Sequence, residues 1–246
     1  MKCPSCGANW RQMKAGFNHS GSQRYKCGEC KRAYTPVSKE KGYSQETRMV
    51  ALRMYVEGNS QRSIARILKV SPQSVSNWIE TYIAKLPPVP KPQKPKVAEL
   101  DELYTFLKQK KNRIYILIVV DRATHCLLSW DAVSERSTVN LQACLERAPQ
   151  ARQYYSDAFP GYDNLYYGAP YEMRSDKKET YSVEAVNADL RHYLKRLARK
   201  SRCFSRRLDA LLKNLHLFAF CYNQRQLMKQ KYPQYKSSLI DFLSPL

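Results

Sequence analysis

The chain has 246 residues, of which 43% are hydrophobic and 11% aromatic, enough to bury a core in one large domain or in a catalytic domain with small appendages. Lysine and arginine number 42 against 21 aspartates and glutamates, a formal charge of +21. Such an excess argues for a polyanionic partner, because each phosphate neutralised releases condensed counterions. The excess is spread along the chain, so both halves can touch nucleic acid. There is no apolar run of the roughly 18 residues that a membrane span needs, and Met1-Lys2 leads straight into Cys3-Pro4 rather than into a signal peptide. We therefore expect a cytoplasmic protein without membrane partners, whose eight cysteines are thiols or metal ligands rather than disulfides.

Cys3-Pro-Ser-Cys6 and Cys27-Gly-Glu-Cys30 form two Cys-x-x-Cys pairs. Zinc favours four thiolates in a tetrahedron, and each pair makes a turn that presents two sulfurs to one ion. Gly7 and Gly28 follow the second and third cysteines, where such turns need a permissive backbone. Residues 1–40 thus read as a zinc-ribbon-like module that needs structural Zn²⁺ to fold, being poor in apolar residues. His19 reads as a surface histidine. Cys126, Cys144, Cys203 and Cys221 lack ligand spacing and are expected as small buried apolar groups.

Residues 41–86 read as an all-α helix-turn-helix domain. Ser44 to Glu57 forms a first helix stopped by Gly58-Asn59. A short second helix follows from Ser60, with Ile64, Ile67 and Leu68 turned inward. Ser71-Pro72 is an N-cap followed by proline at the first helical position. The third helix runs to about Lys85, with Val75, Trp78, Ile79 and Tyr82 inward. Its first exposed turn offers Gln73, Ser74, Ser76 and Asn77 to base edges in a major groove. Residues 87–96, PPVPKPQKPK, read as an extended, solvated linker.

Residues 97–246 change pattern. Val97 to Phe106, Arg113 to Val120 and Cys126 to Val133 read as strands, Ser137 to Arg147 as a helix, and Tyr154 to Asp157 as a short strand. Two helices follow, from about Ser182 to Arg199 and from about Ser205 to Lys229. This order suggests a mixed α/β domain. A divalent-metal phosphoryl-transfer site needs carboxylates converging from separate elements. Asp101 in the first strand, Asp157 at the end of the later strand and Glu184 in the first helical turn could meet on one rim if the two strands are neighbours. Each alone also has a local account; Glu184, for example, complements its helix dipole.

Several stretches together resemble the insertion-sequence-one family of bacterial transposases: Glu99-Leu-Asp101-Glu-Leu-Tyr-Thr-Phe106, Tyr154-Tyr-Ser-Asp157-Ala-Phe-Pro-Gly-Tyr162, Val183-Glu184-Ala-Val-Asn187-Ala-Asp-Leu-Arg191, the basic run from Leu197 to Arg206, and Asn223-Gln-Arg225. The resemblance covers essentially the whole chain. It implies an RNase H-like catalytic domain with a mixed sheet, and Asp101, Asp157 and Glu184 as catalytic ligands of two Mg²⁺ (or Mn²⁺) ions. It implies an enzyme that binds the double-stranded terminal inverted repeats of a mobile element, cleaves a strand, and joins the freed 3′-hydroxyl to target DNA. A homodimer or higher homo-oligomer in a prokaryotic, nucleoid-associated setting follows from joining two ends. Asn187 and Arg191, three and seven residues after Glu184, share its helix face and are expected to contact DNA, as are Lys195, Arg199, Arg202 and Arg206. Glu102 should point to the opposite face of its strand from Asp101. Asp121 reads as a strand-end turn residue, Asp163 and Asp176 as loop acids, and Asp209 as a salt-bridge partner. Two other readings compete: a non-catalytic zinc-ribbon and helix-turn-helix transcription regulator, and a recombinase with a nucleophilic Ser or Tyr.

Overall fold

The computed structural model describes residues 1–19, 21–36, 42–173 and 180–244; Asp176 lies outside them. The chain divides into two compact units, Met1–Gln45 and Glu46–Leu246.

The first unit is a three-stranded antiparallel sheet of β1 (Gln12–Phe17), β2 (Gln23–Cys27) and β3 (Ala33–Tyr34), in the order β1-β2-β3. Its buried apolar set is only Cys3, Ala8 and Cys27, with Cys30 and Tyr34 packed against them. So small a core leaves the fold to the cysteine cluster. Gly7 takes a φ of +74°, and a Cβ on Gly28 would lie 2.5 Å from the Cβ of Arg11, so both cysteine turns need their glycine.

The second unit opens with α1 (Gln45–Val56), α2 (Gln61–Leu68) and α3 (Pro72–Ile83). The Oγ of Ser60 accepts from the amide of Ser63, and that of Ser71 from the amide of Ser74, so both later helices carry the serine caps their sequences call for. Ile64, Val75, Ile79 and Tyr82 are buried. Ile67 is not: it is 58% exposed, because the inward face of the eight-residue α2 is built on Ile64 and Ala65.

Residues 87–96 are extended, but they are docked rather than solvated. Val89 packs on the core, the Lys91 ammonium donates to the carbonyls of Leu128 (2.9 Å) and Arg147 (3.0 Å), and Asn223 donates to the carbonyl of Pro90 (2.8 Å). Five of its ten residues are prolines, which have no amide N–H, so such a strap has half the usual number of backbone donors to satisfy.

The remainder comprises β4 (Val97–Phe106), β5 (Arg113–Asp121), β6 (Leu127–Val133), α4 (Thr138–Glu146), β7 (Gln153–Ser156), a 3-10 turn over Pro160–Asn164, β8 (Tyr171–Met173), α5 (Tyr181–Tyr193) and α6 (Leu208–Lys231). The sheet order is β6-β5-β4-β7-β8. The first three strands are antiparallel to one another, and β7 and β8 run parallel to β4. This is a mixed, RNase H-like sheet. Two features depart from the expected elements. β8 is too short, at three residues, to show a period. α5 ends at Tyr193 rather than Arg199, since Leu194 leaves helical geometry (φ −97°, ψ 93°) to bury its side chain.

The two faces of the sheet bury different clusters. Leu100, Leu117, Val119 and Leu128 pack with α4 and the 3-10 turn. Leu103, Ile116 and Ile118 pack with Val186 and Leu190 of α5 and Phe218 of α6, and this cluster runs on without a break into Ile64, Val75 and Ile79. The helix-turn-helix and the sheet domain thus share one core. Asn223, fully buried, accepts from the amide of Leu127 and donates to the carbonyls of Leu127 and Pro90, each at 2.8 Å. Replacing it, Asn223→Ala, leaves these backbone groups buried without partners and is expected to destabilise the unit by about 2–4 kcal/mol in urea unfolding.

Candidate active site

Strand β4 alternates between the two clusters. Ala98, Leu100 and Glu102 face α4, while Glu99, Asp101 and Leu103 face α5. Glu102 accordingly accepts from the Tyr162 hydroxyl at 2.6 Å and pairs with Arg136, on the far side from Asp101. Strand β7 lies parallel beside β4 with Leu100 opposite Ser156, so Asp157, the first residue past β7, leaves the sheet next to the position of Asp101 on β4. Glu184 stands in the first turn of α5, which packs on β4 and β5.

Asp101 feels the other two acids. Asp101 is pushed up to about 7, first by burial and then by the charges of Glu102, Asp157 and Glu184, against the opposing hydrogen bond from the amide of Glu102. Asn187 donates to Asp101 at 2.6 Å, and its own Oδ1 is buried without a hydrogen-bond partner. Arg191 is pushed below its usual value by burial and by the nearby charge of Arg199, while Asp101 draws it up. Asp157 and Glu184 thus lie near enough to act on Asp101 through their charges, Asn187 bonds to it directly, and Arg191 stands between the influence of Asp101 and that of Arg199. The carboxylates are not all drawn to within 4.8 Å of one another; among the described residues only the cysteine set meets that spacing.

The rivals fall elsewhere. Asp121 is buried and accepts from the amide and hydroxyl of Thr124 in a turn. Asp163 is exposed in the 3-10 turn, and Asp209 pairs with Arg207 at 2.5 Å. Lys195, Arg202 and Arg206 follow the end of α5 and line a separate cleft with Gln73 and Ser76. On α3, Gln73 and Asn77 are exposed and joined by a 2.8 Å hydrogen bond, whereas Ser74 and Ser76 are half-buried.

One residue escaped the sequence reading. Glu99 is fully buried; its Oε1 pairs with the Arg122 Nε at 2.6 Å and its Oε2 accepts from the amide of Val183 at 2.8 Å. Thr180 gives α5 no side-chain cap, so a carboxylate from β4 caps it instead, where the helix dipole favours negative charge. The Arg122 guanidinium lies over the rings of Tyr155 on β7 (4.5 Å) and Tyr181 at the start of α5 (5.3 Å). The signal was present: Glu99 and Asp101 sit two apart on the face of β4 that also carries Leu103, and a buried acid there demands a partner.

In the N-terminal unit, Cys3 and Cys30 lie 3.6 Å apart at sulfur, Cys6 and Cys27 3.7 Å, and all four sulfurs fall within 4.8 Å. Zn–S bonds of roughly 2.3 Å in a tetrahedron place sulfurs about 3.8 Å apart, so the set is compatible with structural zinc. Cys27 is pushed down to about 6, led by the backbone amide of Cys30, which favours the thiolate. Cys126, Cys144 and Cys221 are buried as expected, but Cys203 is only half-buried. His19 is exposed and stands outside the cluster.

The family model for the IS1 transposase matches residues 96–234, more than half of the chain. The chain belongs to the IS1 transposase family. A homeodomain-like model matches residues 43–88 of this family member, over its helix-turn-helix. No curated protein sequence matches the chain. Among solved structures, similarity extends to the HTLV-2 integrase catalytic core domain in complex with magnesium (10% identity, 56% of this chain and 87% of that one, TM-score 0.33). It also extends to a synaptic complex of the piggyBac transposase with hairpin DNA (10%, 84% and 72%, 0.43) and to the Mos1 strand transfer complex (14%, 78% and 78%, 0.32). No helix among the described residues of this transposase-family chain is long and apolar enough to cross a membrane.

Glu99 offers a direct test. Glu99→Leu strands Arg122 and uncaps α5, and is expected to cost about 3–5 kcal/mol in urea unfolding. Glu99→Gln keeps an acceptor for Val183 and should cost about 1–3 kcal/mol; equal losses for the two would remove the ion pair from the account.

Proposed function

We propose that the chain is a DNA transposase that uses Asp101, Asp157 and Glu184 to hold divalent cations, two Mg²⁺ or Mn²⁺ ions, for strand cleavage and 3′-hydroxyl strand transfer. The observation that carries this reading is the electrostatics of Asp101: a carboxylate desolvated on a sheet rim, raised to about 7 with Asp157 and Glu184 among the charges acting on it. Clustered acids of this kind disfavour their own ionisation and are relieved by a cation. The buried, unpartnered Oδ1 of Asn187 fits the same demand for a donor-poor, cation-seeking site. When bound, the ions supply Lewis-acid polarisation of the scissile phosphate and of the attacking oxygen.

The protein's own residues do the rest. Asp101 sits on β4, Asp157 directly follows β7 beside it, and Glu184 is on a helix whose start is tied to β4, so backbone order limits how far the three carboxylates must move to share a cation. Asn187 holds Asp101 in orientation through its 2.6 Å hydrogen bond. Arg191 and Arg199 set positive charge beside the acids, where they would bind the phosphates flanking the reacting one. The helix-turn-helix would read the terminal inverted repeats, and synapsis of two ends calls for a dimer or higher assembly. The four cysteines would hold structural Zn²⁺.

Two outcomes follow. Glu184→Gln and Asp101→Asn should each lower strand transfer at least 10³-fold in gel assays with Mg²⁺ while leaving binding to end DNA intact; retained transfer sinks the assignment. Zinc should be present at one ion per chain, and Cys27→Ser should abolish it and unfold residues 1–45 without altering the far-ultraviolet signal of the remainder; a zinc-free chain with an intact N-terminal sheet would overturn the metal reading.

A further inference from the structure

Between the helix-turn-helix and the segment that follows α5 lies a cleft of about 570 Å³. One wall is the start of α2 and one face of α3, which brings in Arg62, Gln73 and Ser76. The other wall comes from the chain after α5 and supplies Lys195, Arg202 and Arg206. These four cations make no hydrogen bond or ion pair among the described residues, and all four are exposed. The single carboxylate lining the cleft, that of Glu80, has the Lys213 ammonium 3.9 Å away. Unneutralised cations gathered from two separate elements raise the free energy of the folded chain unless an anion shares the site.

The walls are also held in place. Arg196 bridges them, donating to the Tyr55 hydroxyl of α1 at 3.0 Å and to the Ser205 hydroxyl at 2.8 Å, and Tyr55 in turn donates to Asn214 of α6. With the core continuous beneath, the cleft is a preformed feature rather than a gap between loose domains.

We infer that this cleft holds the sugar-phosphate backbone of double-stranded DNA, so that α3 and the segment after α5 of one chain grip the same duplex. This rests on the reading of the chain as a DNA transposase. The chemistry favours a duplex over an acidic peptide. Arginine forks match phosphate oxygens bidentately, and Gln73 and Ser76 bring to the same cleft the amide and hydroxyl groups that contact base edges. The placement has a consequence. α5 runs from Glu184 to the cleft at Leu194, ten residues and about 15 Å. A backbone held in the cleft would therefore reach the carboxylates some four to five base pairs away, taking roughly 3.4 Å per pair.

The test uses the full, zinc-loaded chain in chelator-free buffer without added Mg²⁺ or Mn²⁺, so that binding is separated from strand chemistry. Fluorescence anisotropy with a labelled 40-base-pair duplex of random sequence would be recorded across a KCl series for the native chain, for Arg62→Ala, for Arg202→Ala/Arg206→Ala, and for the triple variant. Each lost phosphate contact should lower the slope of log K against log salt by about 0.9, and the triple variant by about 2.7. Single variants on separate elements keep the test open if the triple variant fails to fold. Native slopes in Arg62→Ala and in the double variant would overturn the inference, as would a polyglutamate peptide that displaces the duplex from the native chain and not from the double variant. A catalytically active Glu184→Gln would sink the carboxylate assignment and leave these slopes untouched, so the two failures are distinguishable.

Discussion

The buried carboxylate of Glu99 is the constraint on which the rim depends. Its two oxygens face Arg122 and the amide of Val183, and the arginine lies over Tyr155 and Tyr181. One charge pair thus ties together β4, which carries Asp101, β7, which leads directly into Asp157, and the start of α5, which carries Glu184. A fully buried acid is costly without a partner, and that cost is what makes the tie specific. Any shift of α5 along the sheet would strand Glu99 with half its partners, so the helix start has one low-energy seat. Ser182, also fully buried, leaves no room to slide.

The same economy of position extends to the recognition helix. A helix-turn-helix on a flexible tether would sample many orientations, and the proline-rich stretch between residues 87 and 96 invites that picture. The structure instead straps this stretch to the sheet domain through Lys91 and Asn223 and merges the two cores. Buried apolar surface contributes about 25 cal/mol per Å², so a shared core resists separation far more than a few surface ion pairs would. Recognition helix and carboxylates consequently keep a fixed spacing, and α5 is the ruler between them.

Much of this was legible in the residues, for reasons that can be named. The cysteine pairs, the Ser71-Pro72 cap and the β-branched run at Ile114 to Val120 each carry a local physical signal that tertiary context rarely overrides. Asp101 and Asp157 could be paired only conditionally, because adjacency of β4 and β7 is a long-range fact. The misses share one origin. The end of α5 at Tyr193, the inward face of α2, the docking of the linker and the role of Glu99 are all decided by what the element packs against. A helical period continues past Tyr193 on paper; burial of Leu194 and the bridge made by Arg196 end it in the fold. Lys195, Arg202 and Arg206 therefore leave the Glu184 face and turn to the cleft.

The charge pattern that results is uneven in an instructive way. The chain carries +21, yet its candidate site gathers acids closely enough that Asp101 rises to about 7 through burial first and neighbouring carboxylates next. Arg191 stands near it without cancelling that effect, and is itself pushed down by burial and by the charge of Arg199. DNA alone would meet repulsion at this rim and attraction everywhere around it. A cation alone would meet the reverse, drawn by the acids and opposed by the surrounding arginines. Each ligand relieves the repulsion that opposes the other, so their binding free energies are coupled, and by linkage the coupling is reciprocal. On the proposed reading, a rim of acids in so basic a chain would be occupied best by cation and polyanion together and poorly by either alone.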